Sequence, residues 1–189
     1  MAQSQVRSFL AIELSEALKN EVYRFIESIQ TKYPAFRFVP PQNWHLTLHF
    51  LGQVETKRIE ELSVKASRAL EKVTPFSIFL KGLGAFPNWN RPHTLWVGVG
   101  GDTQQLSALK KRLDQVLQEA HFQIEVRTYH PHITIARLKG GASFLQSTPT
   151  CEFQSRTVDQ IRCVTLFKSD LSPQGACHTP LKIFQFQSS

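Results

Sequence analysis

Two stretches of this sequence are nearly the same: His45-Leu46-Thr47-Leu48 and His132-Ile133-Thr134-Ile135. Each consists of a histidine, an aliphatic residue, a threonine and a second aliphatic residue. In a β-strand, successive side chains point to opposite faces, so each histidine shares a face with its threonine and the aliphatic residues face the other way. The chain is therefore predicted to build the same feature twice, a polar His-Thr pair standing on a buried apolar face.

Two such pairs facing each other would surround one small anion with two imidazoles and two hydroxyls. The unperturbed pKa of histidine, about 6.5, lies near physiological pH. A neutral imidazole can therefore take a proton from water while a protonated one gives a proton to a leaving oxygen. Threonine hydroxyls can donate to phosphate oxygens and stabilise the charge that grows in the transition state. The repeat thus predicts phosphoryl chemistry, with His45 and His132 as catalytic residues and Thr47 and Thr134 as phosphate-binding residues.

Two further candidates each lie five residues after a motif histidine. Arg137 can neutralise the phosphate, in which case the reaction requires no metal. Strict alternation places that position on the face opposite the histidine, so a bulge or the end of the strand must bring the arginine round. Phe50 holds the same position in the first motif and is predicted to lie in the cleft, where an aromatic ring can stack on a base. His49 shares the alternation face of His45 and is also a candidate for the cleft.

A metal site is the alternative that the other histidines leave open. The residues that could cluster are His45, His49, His130 and His132. Neither motif contains a carboxylate, and the nearest ones, Glu55 and Glu125, lie outside the motif strands. Three histidines have no supporting pattern: His93, His121 and His178.

Composition bounds the class of protein. The chain has 189 residues, of which 41% are hydrophobic, which suits one compact domain or two small fused lobes. The two motif histidines are 87 residues apart, close to half the chain, which favours one bilobal domain over 1–189 with the site between its lobes. No apolar run approaches the roughly 20 residues of a membrane span, and Met1–Arg7 lacks the apolar region of a signal peptide. Three cysteines without CxxC spacing argue against a disulfide framework or a Cys-rich zinc site. We therefore expect a cytoplasmic protein without a membrane partner, whose net charge of +7 suits a polyanion such as RNA.

The remaining pattern predicts eight strands and three helices. Ser15, Thr56 and Asp102 are the expected N-caps of the helices, and Gln105 is expected to complete a capping box. Glycines, Gly52 in the first case and Gly140-Gly141 in the second, are expected to end the two motif strands. The predicted strands are Val6–Leu14, His45–Leu51, Phe76–Leu80, Thr94–Val99, Ile124–Arg127, His132–Leu138, Gln160–Phe167 and Leu181–Phe186. Their irregular alternation with the helices favours an α+β fold with antiparallel sheets.

The motifs and their flanks resemble the two-histidine phosphoesterase superfamily. Within it, the chain is most similar to the bacterial and archaeal RNA 2′,3′-cyclic phosphodiesterases, also called the 2′-5′ RNA ligase family. The resemblance covers nearly the whole chain. The matching segments are Arg7–Ile12, Trp44–Gly52, Arg91–Val99, Tyr129–Leu138 and Thr165–Phe186.

The resemblance implies two pseudo-symmetric lobes, each an antiparallel sheet with helices on its outer face, and an active-site cleft between them. One lobe would contain both termini and the other the middle of the chain. The implied reaction converts a terminal 2′,3′-cyclic phosphate, on RNA or on a small cyclic nucleotide, to a 2′-phosphomonoester without a cofactor or metal. His45 would be the proton donor to the leaving 3′ oxygen and His132 the proton acceptor that activates water. Thr47, Thr134 and Arg137 would hold the phosphate, and 2′-5′ RNA ligation would be a reverse-type activity.

One segment departs from the family pattern. Relatives often have a tyrosine before the last strand, where this chain has Cys177-His178-Thr179-Pro180, so the contacts made by that segment stay open. Two other functions also stay open, a module that binds RNA ends without turnover and a metal-dependent phosphodiesterase. We expect a monomer.

Overall fold

The computed structural model describes residues 5–124, 127–140, 152–172 and 175–187. Within these ranges the chain forms nine strands, all paired antiparallel, and three α-helices. The strands are β1 (Gln5–Glu13), β2 (Phe36–Phe38), β3 (His45–Glu55), β4 (Phe76–Phe86), β5 (Thr94–Gly101), β6 (His132–Leu138), β7 (Asp159–Ile161), β8 (Cys163–Ser172) and β9 (Gly175–Gln185). The helices are α1 (Glu16–Ile29), α2 (Thr56–Leu70) and α3 (Thr103–Glu119). None of these helices is long and apolar enough to cross a membrane.

The sheet consists of two halves that meet at the motif strands. Its order is β7-β4-β5-β6-β3-β1-β8-β9, and β2 pairs with β6 outside this path. Strands β3, β1, β8 and β9 come from the two ends of the chain, whereas β6, β5, β4 and β7 come from its middle and later part. The predicted α+β fold with two lobes is therefore confirmed, and the lobes are not consecutive in sequence.

Each helix buries an apolar stripe against one face of the sheet. Helix α2, for example, is buried at Ile59, Leu62, Ala66 and Leu70, which are spaced three or four residues apart as an amphipathic helix requires. Burying a leucine or isoleucine side chain stabilises the fold by about 1.5–3 kcal/mol. The stripes join one hydrophobic core, which also contains Leu46 and Ile133 from the two motifs. The opposite face of the two central strands is therefore left for polar side chains.

The helix caps differ from the prediction at two of the three positions. Ser15 caps α1 as predicted, because its Oγ accepts a hydrogen bond from Leu18 N at 3.1 Å. Helix α2 begins at Thr56 itself, and Glu55 is the cap residue without a side-chain hydrogen bond. The prediction of Thr56 as the cap was wrong by one residue.

Asp102 lies at the cap position of α3 but makes no cap bond to the helix. Its Oδ2 instead accepts a hydrogen bond from Ser77 N at 2.8 Å, which ties the start of α3 to β4. The capping box expected with Gln105 is absent because the carboxylate is used in this tertiary contact.

Several strand boundaries also differ. Gly52 does not end the first motif strand: β3 runs on to Glu55, and Gly52 adopts a φ of +72° at a bulge beside Leu51, a conformation that favours glycine. Strand β6 ends at Leu138, before Gly140, and residue 141 lies outside the described ranges. So do residues 125 and 126, on which the predicted strand at 124–127 falls. The predicted strand at 160–167 is divided between β7 and β8.

Candidate active site

The two motifs lie on adjacent antiparallel strands of the sheet. Strands β3 and β6 pair at Leu46 and Ile133, which are both completely buried. The residues on either side of a paired position point to the opposite face, so each motif histidine lies across from the threonine of the other motif. These four side chains are His45, Thr47, His132 and Thr134, and all are partly exposed. All four lie on the face of the sheet that the helices leave uncovered, which we call the cleft face. The four residues form a rectangle on this face, and the two histidines occupy diagonally opposite corners.

A β-bulge occurs at the same position in both motif strands. Leu48 is an extra residue in β3 relative to β1, and Ile135 is an extra residue in β6 relative to β5. Each lies three residues after its motif histidine. Because a bulge shifts the alternation by one residue, the position five residues after each histidine returns to the cleft face. The bulge that Arg137 requires is therefore present, and Phe50 reaches the same face, where 65% of its surface is exposed.

The bulge in β3 also moves His49 away from the cleft, so the sequence prediction for His49 was wrong. His49 is 5% exposed and faces the helices, where its Nε2 lies 2.7 Å from Asp114 Oδ1. The Lys110 ammonium lies 2.7 Å from the same oxygen. Burial lowers the pKa of His49, and Lys110 acts in the same direction against Asp114.

The cluster of four histidines that the sequence left open as a metal site does not form. It required His45 and His49 together, and these two side chains lie on opposite faces of β3. In the part of the chain that the structure describes, no three His, Cys, Asp or Glu side chains are grouped as metal ligands. Glu125, one of the carboxylates considered, lies outside that part.

His45 is fixed by a hydrogen bond to a nearby backbone group and is partly buried. Its ring hydrogen-bonds the backbone of Asn43, two residues earlier. Burial lowers the pKa of His45 to about 4, and the charges of His178, His132 and Arg137 act in the same direction. His45 is therefore neutral in the free protein near pH 7. The influence of His132 and Arg137 on His45 agrees with the pairing of the two motif strands at Leu46 and Ile133.

His132 is held in the same manner. Its Nδ1 lies 2.7 Å from the carbonyl oxygen of His130, again two residues earlier. Since a carbonyl only accepts, Nδ1 donates and Nε2 is the nitrogen left to take a proton. Burial lowers the pKa of His132, and the charges of His130 and Arg137 add to the effect. The charge of Arg137 thus lowers the pKa of both histidines.

Aromatic rings pack against both histidines. The Phe86 ring meets His132 edge-on at 4.8 Å between centroids and 82° between planes. Phe9 lies 4.8 Å from His45, and His178 meets His45 edge-on at 5.2 Å and 86°. Sequence reasoning did not select His178, because it lies 133 residues from His45 and belongs to the segment that departs from the family pattern.

A hydrogen bond links the loop before the second motif to the first motif. Tyr129 donates from its hydroxyl to the backbone oxygen of Thr47 at 3.0 Å. The Tyr129 side chain is largely buried, which raises its pKa, and the Lys110 ammonium lies 5.6 Å from the ring centroid. This contact fixes the two motifs relative to each other, and sequence spacing gave no signal for it.

A family model described as LigT-like phosphoesterase matches the chain twice, over residues 12–96 and 97–178. The chain belongs to this family. Each match contains one of the two motifs. The resemblance found in the sequence is thereby confirmed.

Similar proteins span nearly the full length of this LigT-like phosphoesterase. The RNA 2′,3′-cyclic phosphodiesterase of Methanothermobacter thermautotrophicus is 31% identical over 187 residues, covering 96% of this chain and 99% of the relative. The enzyme of the same name from Aeropyrum pernix is 34% identical over 165 residues, covering 84% and 90%. The crystal structure of Escherichia coli LigT complexed with 3′-AMP superposes with a TM-score of 0.81 at 25% identity, covering 98% of this chain and all of that one.

Proposed function

We propose that this LigT-like phosphoesterase hydrolyses the terminal 2′,3′-cyclic phosphate of RNA to a 2′-phosphomonoester by acid–base catalysis with two histidines. The observation that carries the proposal is the placement of both His-x-Thr pairs on one face of the sheet, across a single strand pairing. The names of the relatives at 31% and 34% identity support the same reaction.

The two histidines take the roles that the family resemblance implies. His132 accepts a proton from water at Nε2, because Nδ1 is occupied by the His130 carbonyl. The water oxygen bonds to phosphorus while the bond from phosphorus to the 3′ oxygen breaks. His45 gives a proton to that leaving oxygen, which leaves a 3′ hydroxyl and a 2′-phosphate. In the 2′-5′ ligation that the family resemblance implies, the hydroxyl of a second RNA takes the place of water: its oxygen bonds to phosphorus while the bond from phosphorus to the 3′ oxygen breaks, which leaves a 2′-5′ phosphodiester and a 3′ hydroxyl.

The proton on His45 is expected to arrive with the substrate. In the free protein, burial and nearby cations keep the pKa of His45 at about 4. A phosphate anion between the imidazoles offsets those cations and raises the pKa of both rings. Thr47, Thr134 and Arg137 hold the anion in place, and Phe50 offers an exposed ring to the base.

We also propose that the chain works as one bilobal domain, as a monomer in the cytoplasm, on RNA ends or small cyclic nucleotides. Both motifs come from the same chain and adjoin in one sheet, so no second copy is needed to complete the site. The net charge of +7 suits an RNA partner.

Turnover of 2′,3′-cyclic AMP tests the proposal. His45→Ala and His132→Ala should each lower kcat by roughly 10²- to 10⁴-fold, the usual contribution of a general acid or base. His121→Asn is a matched control, because this exposed histidine has a φ of 57° that asparagine also adopts. Separation of the products by chromatography identifies the 2′-monophosphate.

Three outcomes would contradict the proposal. Activity that survives both alanine substitutions would remove the histidines from catalysis. Binding of the cyclic nucleotide without any product would favour the binding module. Loss of turnover in excess EDTA, restored by a divalent cation, would favour the metal-dependent alternative.

A further inference from the structure

We propose that His178 is a third histidine of the active site, a substrate-binding residue that donates a hydrogen bond to the phosphoryl group beside His45. The identity of the ligand rests on the proposed function. The placement of His178 rests on the contacts of β9.

The closing hairpin of β8 and β9 brings His178 to His45. Strand β9 is three strands away from β3 in the sheet order, yet the His178 ring packs directly against those of His45 and Phe9, at 5.2 and 4.9 Å. The hairpin therefore curls over the cleft face. His178 also pairs in register with Ser169, which is itself buried.

A second contact fixes the hairpin to the first motif. Asn43 donates from its side-chain nitrogen to the backbone oxygen of Ala176 at 2.8 Å. The backbone of the same Asn43 is the hydrogen-bond partner of the His45 ring. One residue thus sets both His45 and the strand that carries His178, so the distance between the two imidazoles is held by the fold.

The surroundings of His132, in the other half of the site, show what a ring needs in order to pack edge-on against a motif histidine. There the edge-on partner of His132 is Phe86, at nearly the same distance and angle as His178 has to His45. A phenyl ring therefore suffices for this contact. His178 instead carries a buried Nδ1 that has no hydrogen-bond partner among the described residues. An unpaired polar atom costs stability, and a ring that only packs would not need one.

The chemistry of the ligand follows from the surroundings. The polar groups that the two motifs bring to the cleft face are imidazoles, threonine hydroxyls and the Arg137 guanidinium, which together suit a phosphate. The Glu13 carboxylate pairs in register with His45 and accepts a hydrogen bond from Thr165 Oγ1 at 2.9 Å. A neutral imidazole has one N–H donor and one acceptor, and burial lowers the pKa of His178, which favours the neutral form. Because Nδ1 is buried, the nitrogen that donates to a phosphate oxygen is Nε2, and a neutral ring does so without adding a permanent charge next to His45.

His178→Phe tests this role because it keeps an aromatic ring against His45 and Phe9 and removes both nitrogens. We expect the KM for 2′,3′-cyclic AMP and the Kd for adenosine 2′-monophosphate each to rise by about tenfold or more, as for a lost hydrogen bond to a charged group. The value of kcat should stay within about threefold. His178→Gln, which keeps an N–H donor, should restore part of the binding. Cys177→Ser, at the exposed neighbouring position of β9, should match the wild type.

The Kd for adenosine 2′-monophosphate is measured by calorimetry and does not depend on turnover. It therefore tests the role of His178 separately from the proposed function. A wild type that hydrolyses the cyclic nucleotide, with a His178→Phe variant equal to it in KM and Kd, would overturn the role of His178 alone. A loss of kcat with unchanged Kd in both His178→Phe and His178→Gln would show that His178 positions His45 and does not bind phosphate. Should His178→Phe fail to fold, His178→Leu takes its place in the same two measurements.

Discussion

His45 has to carry a proton to act as an acid, yet its surroundings favour the neutral ring. Burial is the largest cause, and the charges of His178, His132 and Arg137 add to it. The positive charge of Arg137 is useful once a phosphate anion is bound, because the anion offsets it and raises the pKa of the histidines that face the anion. The charges around His45 therefore favour its protonated form in the substrate complex and its neutral form in the free protein.

This arrangement predicts different pH profiles for kcat/KM and kcat. The profile of kcat/KM reports the free enzyme and that of kcat reports the complex. Because the pKa values of His45 and His132 are both lowered in the free protein, the alkaline limb of kcat/KM should lie below pH 6.5, the ordinary pKa of histidine. The alkaline limb of kcat should lie at higher pH, by about one unit. Steady-state rates from pH 4.5 to 9 measure both.

Arg137→Gln provides the control for this pH prediction. Removing the guanidinium should lower kcat/KM through weaker phosphate binding, and it should also move the alkaline limb of kcat/KM towards higher pH. Coincident limbs for kcat and kcat/KM in the wild type would contradict the view that the substrate raises the pKa of the histidines.

At the scale of single strands, the twin bulges decide which side chains reach the cleft. Alternation from a histidine to the threonine two residues on depends only on strand geometry, so the sequence could predict that these two share a face. Beyond Leu48 and Ile135 the alternation is shifted, and an aliphatic residue carries no local signal of a bulge. His49 was therefore assigned to the wrong face. The bulge before Arg137 was anticipated only because phosphate chemistry required it.

The bond from Tyr129 to the Thr47 backbone predicts a coupling between the loop before β6 and strand β3. Tyr129→Phe removes the hydroxyl and leaves a carbonyl without that donor, which should lower the free energy of unfolding by about 1–3 kcal/mol. For a protein of this size each kcal/mol corresponds to about 2–4 °C in Tm. We also expect kcat to fall several-fold with little change in KM, because the two motifs lose a fixed spacing.

Tyr23→Phe is the matched control, since Tyr23 lies on α1 and is 47% exposed. It should leave both Tm and kcat close to the wild type. A Tyr129→Phe variant with a lower Tm but an unchanged kcat would show that this bond stabilises the fold without positioning the motifs.

Across the whole molecule, the repeat in the sequence corresponds to two halves of one sheet. The motif spacing and the apolar stripes of the helices were enough to predict an α+β fold with the site between its halves. The spacing could not predict how far β8 and β9 curl over the cleft face, because that curl depends on contacts between distant segments such as Asn43 and Ala176. His178 was missed for this reason, although its chemistry alone would have made it a candidate.

The same burial that tunes the site makes the fold sensitive to mild acid. Four histidines have a pKa below the ordinary 6.5 because of burial, His45, His49, His132 and His178. Below pH 6.5 the unfolded chain binds more protons than the folded one, so stability is complete above that pH and is lost as pH falls towards 4. For His45, with a pKa of about 4, the loss of stability at pH 5 relative to pH 8 is on the order of 2 kcal/mol.

Urea unfolding at constant ionic strength at these two pH values measures the loss of stability summed over all four histidines, and His178→Phe should reduce that loss. The pKa of the Glu21 carboxyl is lowered, so Glu21 titrates below this window. Equal free energies of unfolding at pH 5 and pH 8 would therefore contradict the burial of neutral imidazoles on which the proposed catalysis depends.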